Sequence, residues 1–442
     1  MKKIKKLISI VLLIFGICFI FPNIAFALDY ENGHFEKIQT NLEVKGCPLK
    51  LKDGRILILD TNRNYIFNPQ NNTFQETTPT PFGFSYVSNG DMFPAVVLNN
   101  GKVFIIGKIL EPPFDKFKDE LYEPIKAIFT RDEFRNNPKF ASLSAEERNS
   151  IIVSRWKTFR KLPENEKEQV YLPIIRKNSD LLNRYNQYCQ LREKSRRPLL
   201  FDPITETYEI IDNFIIDGDD VAFDFIPIIK SNNEILIFKS NARIQLYDLF
   251  NKSVTEINSP KDYKIIDIIP IDNNEILILL NQKKYCLYNM VTNTYSEIQS
   301  FPISIYQFPE IINFDNKNLL LFGNSDNQGI FIFNFIDKTY KNITNYAFER
   351  FVSPGLPIRP LLIENKIFIF GGLKNKFQPG ILCTKHQISD KAEVINMLTN
   401  ESKLKKMNYT HNGPRSIILN DGRILIYEGK NNELYIPKGY KK

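Results

Sequence analysis

The stretch Asp53-Gly54-Arg55-Ile56-Leu57-Ile58 joins a tight turn to an apolar run that favours a β-strand. The same pattern returns six times, as Asn100-Gly101-Lys102-Val103-Phe104-Ile105, Asn232-Asn233-Glu234-Ile235-Leu236-Ile237, Asn273-Asn274-Glu275-Ile276-Leu277-Ile278, Asn316-Lys317-Asn318-Leu319-Leu320-Leu321, Glu364-Asn365-Lys366-Ile367-Phe368-Ile369 and Asp421-Gly422-Arg423-Ile424-Leu425-Ile426. Successive copies begin 47, 132, 41, 43, 48 and 57 residues apart. A repeat with a period of this size predicts a solenoid or a propeller.

Each copy continues into an alternating strand that ends in Asn or Asp, followed by a short turn and by Thr or Ser beside an apolar residue. Examples are Tyr65-Ile66-Phe67-Asn68 before Thr73-Phe74 and Leu246-Tyr247-Asp248 before Ser253-Val254. Alternation with Asn, Asp and Gly at the turns predicts β-hairpins. Each unit therefore supplies four strands, which is the content of a propeller blade.

The one long interval contains an insertion, residues 109–197, without which it shortens to 43 residues. The last copy ends after Glu433-Leu434-Tyr435-Ile436-Pro437 without a fourth strand, whereas Phe35-Glu36-Lys37-Ile38 precedes the first copy as a strand without a blade. We therefore predict an all-β, seven-bladed β-propeller of four-stranded blades over residues 28–108 and 198–442, with a helical insertion in blade two. The N-terminal strand is expected to complete the last blade and close the ring, which removes exposed sheet edges.

Residues 1–27 have the features of a secretory signal peptide. Four lysines within the first six residues precede an apolar run from Leu7 to Phe21, and Ala25-Phe26-Ala27 fits a cleavage site. We expect cleavage before Leu28 and a secreted, extracytoplasmic protein, either free or associated with the cell surface. After cleavage no apolar run is long enough to span a membrane.

Charge and cysteine content argue against two classes of function. The net charge of +8 falls to +4 after the four lysines of the signal are removed, which is too small to indicate nucleic-acid binding. Cys47, Cys189, Cys286 and Cys383 are widely separated and lack metal-ligand spacing. We predict mostly free, buried thiols, with disulfides as the alternative in an oxidising compartment.

Two segments resemble bacterial kelch repeats. One is Leu419-Asn420-Asp421-Gly422-Arg423-Ile424-Leu425-Ile426 with Glu433-Leu434-Tyr435, and the other is Ile367-Phe368-Ile369-Phe370-Gly371-Gly372 with Ala392-Glu393-Val394. The resemblance covers nearly all of the chain after residue 27 except the insertion. It implies a kelch-superfamily propeller like the central domain of galactose oxidase. The double glycine occurs only once, and Phe, Tyr or aliphatic residues replace the usual tryptophan of the fourth strand.

The insertion is highly charged, and its apolar residues have helical spacing. Ser144-Ala145-Glu146-Glu147 is a capping box, which predicts a helix start. Helical spacing continues after it at Ile151, Ile152, Arg155, Trp156 and Phe159. Further helices are predicted around Phe117 to Ile125, from Leu162-Pro163-Glu164 and over Leu181 to Arg192. We place the insertion between the second and third strands of blade two, either as a helical cap beside the channel mouth or as a decoration without a role there. Its basic end, Arg192 to Arg197, either meets an anionic surface or is a solvated helix end.

The kelch resemblance implies one metal chemistry, since copper oxidases of the galactose oxidase type bind copper through paired histidines and tyrosines. His386 lies in the long connection of blade six and His411 just before blade seven, so the two could meet at one face. No matching ligand motif accompanies them, and histidines in surface loops are the alternative.

The densest acidic cluster is Asp217, Asp219 and Asp220, with Asp224 nearby. Calcium needs six or more oxygen ligands, and closely spaced aspartates can supply several of them. The complete pattern of a calcium loop is missing, so a solvated turn is the alternative.

Two arginines and three aromatic residues are candidate ligand-binding groups. Arg359 and Arg415 precede the innermost strands of blades six and seven, where their planar guanidinium groups could bind a carboxylate at the channel mouth. Pairing with acids between blades is the alternative. Tyr86, with Phe84 and Phe93, could offer a stacking surface for a sugar.

No nucleophile, zinc-protease or phosphate-loop motif occurs in the chain. We therefore predict a monomeric, non-catalytic binding module without a cofactor. It is expected to recognise a glycan or an extracellular protein partner at the face that carries the insertion. The resemblance implies one alternative, a carbohydrate-active enzyme of the oxidase or epimerase type. A structural surface protein is a third class, which differs from a binding module only in its partner.

Overall fold

The computed structural model describes residues 28–60, 63–81, 95–106, 110–215, 225–239, 243–257, 263–301, 310–323, 329–344, 360–376 and 385–441. The predicted signal peptide therefore lies outside the described residues. The chain divides into two compact units. The first unit falls within Met1–Ile56, Phe67–Gln75 and Ile305–Lys442, and the second within Leu57–Ile66 and Glu76–Ser304.

The elements follow one another as short strands, interrupted by one run of helices. The first strands are β1 (Asp29–Lys37), β2 (Cys47–Lys50), β3 (Ile56–Leu59), β4 (Asn64–Asn68), β5 (Thr73–Thr77), β6 (Ala95–Val97) and β7 (Val103–Ile105). The helices are α1 (Pro113–Asn136), α2 (Ala145–Arg160), α3 (Glu164–Ile175) and α4 (Ser179–Ser195), with a 3-10 turn at Phe140–Ser142.

The remaining strands begin directly after α4. They are β8 (Leu199–Asp202), β9 (Thr207–Ile210), β10 (Phe225–Ile229), β11 (Glu234–Lys239), β12 (Ile244–Asp248), β13 (Ser253–Ile257), β14 (Ile265–Pro270), β15 (Glu275–Leu280), β16 (Lys284–Asn289), β17 (Thr294–Tyr295), β18 (Gln299–Ser300), β19 (Glu310–Asn313), β20 (Asn318–Phe322), β21 (Ile330–Asn334), β22 (Thr339–Thr344), β23 (Leu361–Ile363), β24 (Lys366–Phe370), β25 (Leu373–Lys376), β26 (Lys385–Asn396), β27 (Glu401–His411), β28 (Arg415–Ile418), β29 (Ile424–Glu428) and β30 (Asn431–Lys438).

These strands form seven sheets with four main strands each; in six of them the strands follow one another in chain order, and in the seventh β1 joins β28, β29 and β30. Their orders are β2-β3-β4-β5, β6-β7-β8-β9, β10-β11-β12-β13, β14-β15-β16-β17, β19-β20-β21-β22, β23-β24-β26-β27 and β1-β30-β29-β28, with β18 and β25 as short additions. The strands pair antiparallel, and β1 lies beside β30 with Phe35 opposite Tyr435. Seven four-stranded antiparallel sheets fit the blade content of a seven-bladed propeller.

The apolar run of each repeat forms the second strand of its sheet, and nearly all of its residues are buried. In the second unit, Leu236 of β11 and Ile276 of β15 belong to one core cluster. In the first unit, Leu320 of β20 and Ile367 of β24 share another. Successive sheets therefore pack face to face within each unit. Because both faces of these strands are covered, they read as continuous apolar runs rather than as an alternating pattern.

The turn between the third and fourth strands has the same construction in six sheets. An Asn or Asp side chain at its start accepts a hydrogen bond from the backbone N–H two residues later, as Asp248 does from Phe250 at 2.8 Å. The residue before the fourth strand has a φ between 52° and 58°, at positions Asn72, Glu206, Lys252, Asn293, Lys338 and Asn400. Short Asx side chains stabilise such turns by replacing a backbone acceptor, which explains their recurrence in the repeat.

Candidate functional site

The four helices lie in sequence between β7 and β8, which are paired neighbours in one sheet. We call residues 110–197 the helical segment. Hydrogen bonds join its two ends: the Leu110 N–H donates to Ser195 Oγ at 3.1 Å, and the Tyr188 hydroxyl donates to the Glu111 carbonyl at 2.8 Å. The helical segment thus leaves and re-enters the sheet at one place.

The helical segment has an apolar core of its own. Its buried members are Phe114, Phe117, Leu121, Ile125, Phe159, Tyr171, Ile175, Leu181 and Tyr185. The capping box predicted at Ser144 and Glu147 is confirmed, since each side chain accepts a hydrogen bond from the other residue's backbone N–H. Phe159 is the buried residue of α2, so this helix presents most of its length to solvent.

A largely buried carboxylate fixes the start of α3 against the start of α1. Glu164 Oε1 accepts hydrogen bonds from the Phe114 backbone N–H at 3.0 Å and from the Tyr171 hydroxyl at 2.7 Å. Lys167 Nζ lies 3.6 Å from Glu164 Oε2 and 5.5 Å from the centre of the Phe114 ring. Burial and the hydrogen bond to Glu164 raise the pKa of Tyr171 far above its ordinary value, so its hydroxyl remains a donor. These contacts join the start of α1 to the start of α3.

A groove with a volume of about 460 Å³ lies between α1, α2 and α3. Its lining residues are Phe129 of α1, then Ile151, Ser154, Arg155, Thr158 and Phe159 of α2, then Leu162, and Val170 of α3. Five of these side chains are apolar, and the three polar ones occupy exposed positions of α2. Steps of three and four residues along α2 place its lining residues on one helix face.

Arg155 is the charged residue of the groove lining. Arg155 forms an ion pair with Glu133 of α1, which is buried, while the Arg155 side chain is 48% exposed. The helical segment contains 19 Lys and Arg residues against 14 Asp and Glu residues, a net charge of +5. That charge exceeds the +4 of the whole chain after residue 27. The excess positive charge of the protein is therefore concentrated in this segment.

Most candidate site residues from the sequence lie outside the part of the chain that the structure describes. They are Arg359, Tyr86, Phe84, Phe93, Asp217, Asp219, Asp220 and Asp224. The calcium and sugar-stacking sites therefore stay predictions. His386 lies in strand β26, with its backbone opposite Asn375, whereas a long connection was expected there.

His411 is fully buried at the end of β27, so the alternative of a surface-loop histidine is wrong for this residue. Its Nε2 lies 2.9 Å from Glu433 Oε1, and its Nδ1 lies 3.4 Å from Glu428 Oε2. Glu433 is also fully buried, and its other oxygen accepts bonds from the backbone and side-chain nitrogens of Asn408 at 3.0 and 3.1 Å. Both ring nitrogens of His411 therefore face carboxylates, Nε2 at hydrogen-bonding distance and Nδ1 farther away.

The carboxylates determine the protonation of this network. Burial favours the neutral imidazole, but the hydrogen bonds to Glu428 and Glu433 outweigh it and raise the pKa of His411. Burial also opposes charge on Glu428, yet bonds from His411 and from the backbone N–H groups of Asn412 and Gly413 lower its pKa. The network therefore contains a charged imidazolium over a wider pH range than an isolated histidine.

We expect this network to stabilise the fold most between pH 4.5 and 6.5, the ordinary pKa values of Glu and His. The contribution of His411, whose pKa is raised, is complete below pH 6.5 and is lost as pH rises through its folded value. The contribution of Glu428, whose pKa is lowered, is lost as pH falls through its folded value. Melting temperatures of the chain and of His411→Gln across pH should therefore converge on the alkaline side. A difference that is independent of pH contradicts this prediction.

Arg415 is the first residue of β28, opposite Tyr427, and it is buried. Its guanidinium group is therefore not displayed on an open surface. The two-arginine site at the channel mouth also requires Arg359, which is not among the described residues, so that site stays a prediction.

Within the described ranges, no cluster of His, Cys, Asp and Glu has the arrangement of a metal site. Cys189 and Cys286 are free thiols, the first half-buried and the second buried, and Cys47 is half-buried in β2. Cys383 lies outside the described residues. Among the helices of the described residues, none has the length and hydrophobicity of a membrane-spanning segment.

Two features of the site were missed from the sequence. The spacing of Ile151, Arg155 and Phe159 identified a helix face, but the groove also needs Phe129 and Val170 from the neighbouring helices. Glu433 was noted only as part of the last strand. A single acidic residue inside a buried strand was the available signal that it has a partner in the core.

Neither a scan against protein-family models nor a search of the curated proteins finds a match for this chain. Among solved structures, the chain is similar to two crystal structures of B. thetaiotaomicron BT4673. One, described as the extracellular domain of a hybrid two component system, is 9% identical with a TM-score of 0.47, and the alignment covers 91% of this chain and 42% of that one. The other, described as the extracellular domain of a one component system, is 10% identical with a TM-score of 0.44, covering 92% and 40%. The chain thus spans about two fifths of these structures.

Proposed function

We propose that the chain is an exported, kelch-like β-propeller that acts as a non-catalytic binding module for a glycan or a protein partner. In this proposal residues 1–27 are the signal peptide, and β1 closes the ring of seven blades through its pairing with β30. The helical segment is an insertion in blade two, supported by its place between the paired strands β7 and β8. The binding site is the face that carries this segment.

The groove on the helical segment is the observation that carries the proposal. Its volume of about 460 Å³ falls within the range of ligand sites, about 300–1,000 Å³. The helices that form it share an apolar core, and Glu164 joins the starts of α1 and α3. A groove on such a scaffold is formed before the ligand arrives, which lowers the entropic cost of binding.

The lining favours a protein partner over a glycan. Phe129 and Phe159 pack edge to face with ring centres 5.8 Å apart, and Phe159 is buried, so little aromatic face is open for stacking. Ile151, Leu162 and Val170 supply aliphatic surface instead. A pocket of this kind suits the apolar side chain by which one protein anchors another.

Two variants of α2 test the proposal. Ile151 and Val153 are both β-branched aliphatic residues of this helix, but only Ile151 lines the groove. The experiment compares three proteins: the secreted chain and its variants Ile151→Lys and Val153→Lys. Each would be applied to a glycan array and used in pull-downs from the envelope of the source organism. We expect a partner that is retained by the chain and by Val153→Lys and is lost with Ile151→Lys.

Two outcomes contradict the proposal. Equal retention by all three proteins, or by a variant lacking residues 109–197, excludes the groove as the binding site. Absence of any partner in both assays overturns the role as a binding module.

A further inference from the structure

We infer that the groove binds an acidic segment of a partner polypeptide, which inserts one bulky apolar side chain between α1 and α2. This inference rests on the proposed function and specifies the chemistry of the partner.

The C-terminal end of α2 is strongly basic. Residues 155–161 include four exposed Lys and Arg residues and no acidic residue, and Arg155 among them lines the groove. Arg148 lies about one turn before Ile151, and Arg155 about one turn after it. Residues at this spacing share one helix face, so two guanidinium groups flank the apolar position of the groove. A partner segment with one apolar side chain between acidic residues would match the order Arg148, Ile151, Arg155 along α2.

Arg155 is positioned for a second carboxylate. One of its terminal nitrogens pairs with the buried Glu133, while the side chain remains 48% exposed. A guanidinium group has five N–H donors in a planar fork, of which a single carboxylate oxygen occupies a part. Glu133 is therefore a positioning residue that holds Arg155 at the rim of the groove.

The distribution of charge supports the same partner. The helical segment carries a net charge of +5, and the rest of the chain after residue 27 carries −1. A field concentrated on one segment steers acidic partners to it and raises their association rate. A polyanion without apolar groups would leave the apolar side chains of Ile151, Leu162 and Val170 in the groove exposed to water. An acidic polypeptide with an apolar anchor would both pair with the basic residues and cover the apolar side chains of the groove.

The test measures the fluorescence anisotropy of a fluorescein-labelled peptide of about ten residues, rich in Asp and Glu with one central leucine. Two matched peptides replace the acidic residues by Asn and Gln, or the leucine by serine. We expect the acidic leucine peptide to bind the full secreted chain, with a loss of about tenfold or more in affinity for either matched peptide. Added salt should also weaken binding, because the rim charges are exposed.

Variants with matched controls locate the site. Ile151→Asp should reduce the affinity about tenfold or more, whereas Val153→Asp on the same helix should retain it. Arg148→Glu should reduce it as well, and Arg176→Glu, an exposed residue at the end of α3, should not. Melting curves of all four variants confirm that they are folded.

Some outcomes overturn the inference and leave the proposed function intact. These are equal affinity for the acidic and neutral peptides, equal effects of each variant and its control, and a groove-dependent partner that is a glycan. Absence of both peptide binding and partner retention overturns the two together.

Discussion

Replacement of His411 by alanine is expected to lower the free energy of unfolding by about 3–5 kcal/mol. The substitution removes one partner from a fully buried pair and leaves the Glu433 carboxylate with only the hydrogen bonds from Asn408. An uncompensated charge in the interior is far more costly than an exposed one, and loss of the imidazole ring also opens a cavity. Urea denaturation at mildly acidic pH, where the network is complete, measures the effect.

His34 supplies a matched control for this experiment. It also pairs with a glutamate, Glu36 at 3.2 Å, but both side chains are more than half exposed. Exposed pairs contribute little to stability, so His34→Ala should leave the denaturation midpoint unchanged. His411→Gln keeps a donor for Glu433 and should fall between His411→Ala and the unsubstituted chain. Equal midpoints for His411→Ala and His34→Ala would show that burial of the pair has no role.

The strands could be predicted because their signal is local. A turn such as Asp421-Gly422-Arg423 needs a residue that adopts a positive φ, which is 86° at Gly422, and the buried strand behind it is continuously apolar. The pairing of β1 with β30 joins Phe35 to Tyr435, 400 residues later, yet it too could be anticipated. The last repeat ends one strand short, and only one unassigned strand was available.

The site could be predicted only in part, because its signals are distributed over separate elements. Helical spacing identified the face of α2 that carries Ile151 and Arg155, whereas the groove depends on how α1 and α3 pack against it. The environment of His411 was missed for a similar reason. Its partner Glu433 is 22 residues away, and a pattern of exposed and buried positions does not reveal which two charged groups meet.

The tripeptide Asp-Gly-Arg, which occurs at Arg55 and at Arg423, shows the same limit of prediction from local sequence. Arg55 and Arg423 both follow Asp-Gly, and in both the Nε donates to the preceding Asp, at 2.7 and 2.9 Å. Arg423 is nearly fully buried, and it also donates to Asn72 Oδ1 and to a carbonyl of the turn between β4 and β5. The Arg55 side chain is 27% exposed. The same local sequence is therefore buried to different extents in the two repeats.

Arg423→Ala is expected to lower the free energy of unfolding by about 3 kcal/mol, because it removes a buried cation and leaves the acceptors that surround it without a donor. Arg55→Ala in the same motif should cost about 1 kcal/mol or less, since that pair is partly solvated. Arg423→Lys should rescue little, because one ammonium group cannot reach Asp421, Asn72 and the carbonyl at once as the planar fork does. Urea denaturation of the three variants under one condition ranks them. If Arg55→Ala and Arg423→Ala unfold at the same midpoint, the bonds from Arg423 to the turn between β4 and β5 contribute nothing to stability.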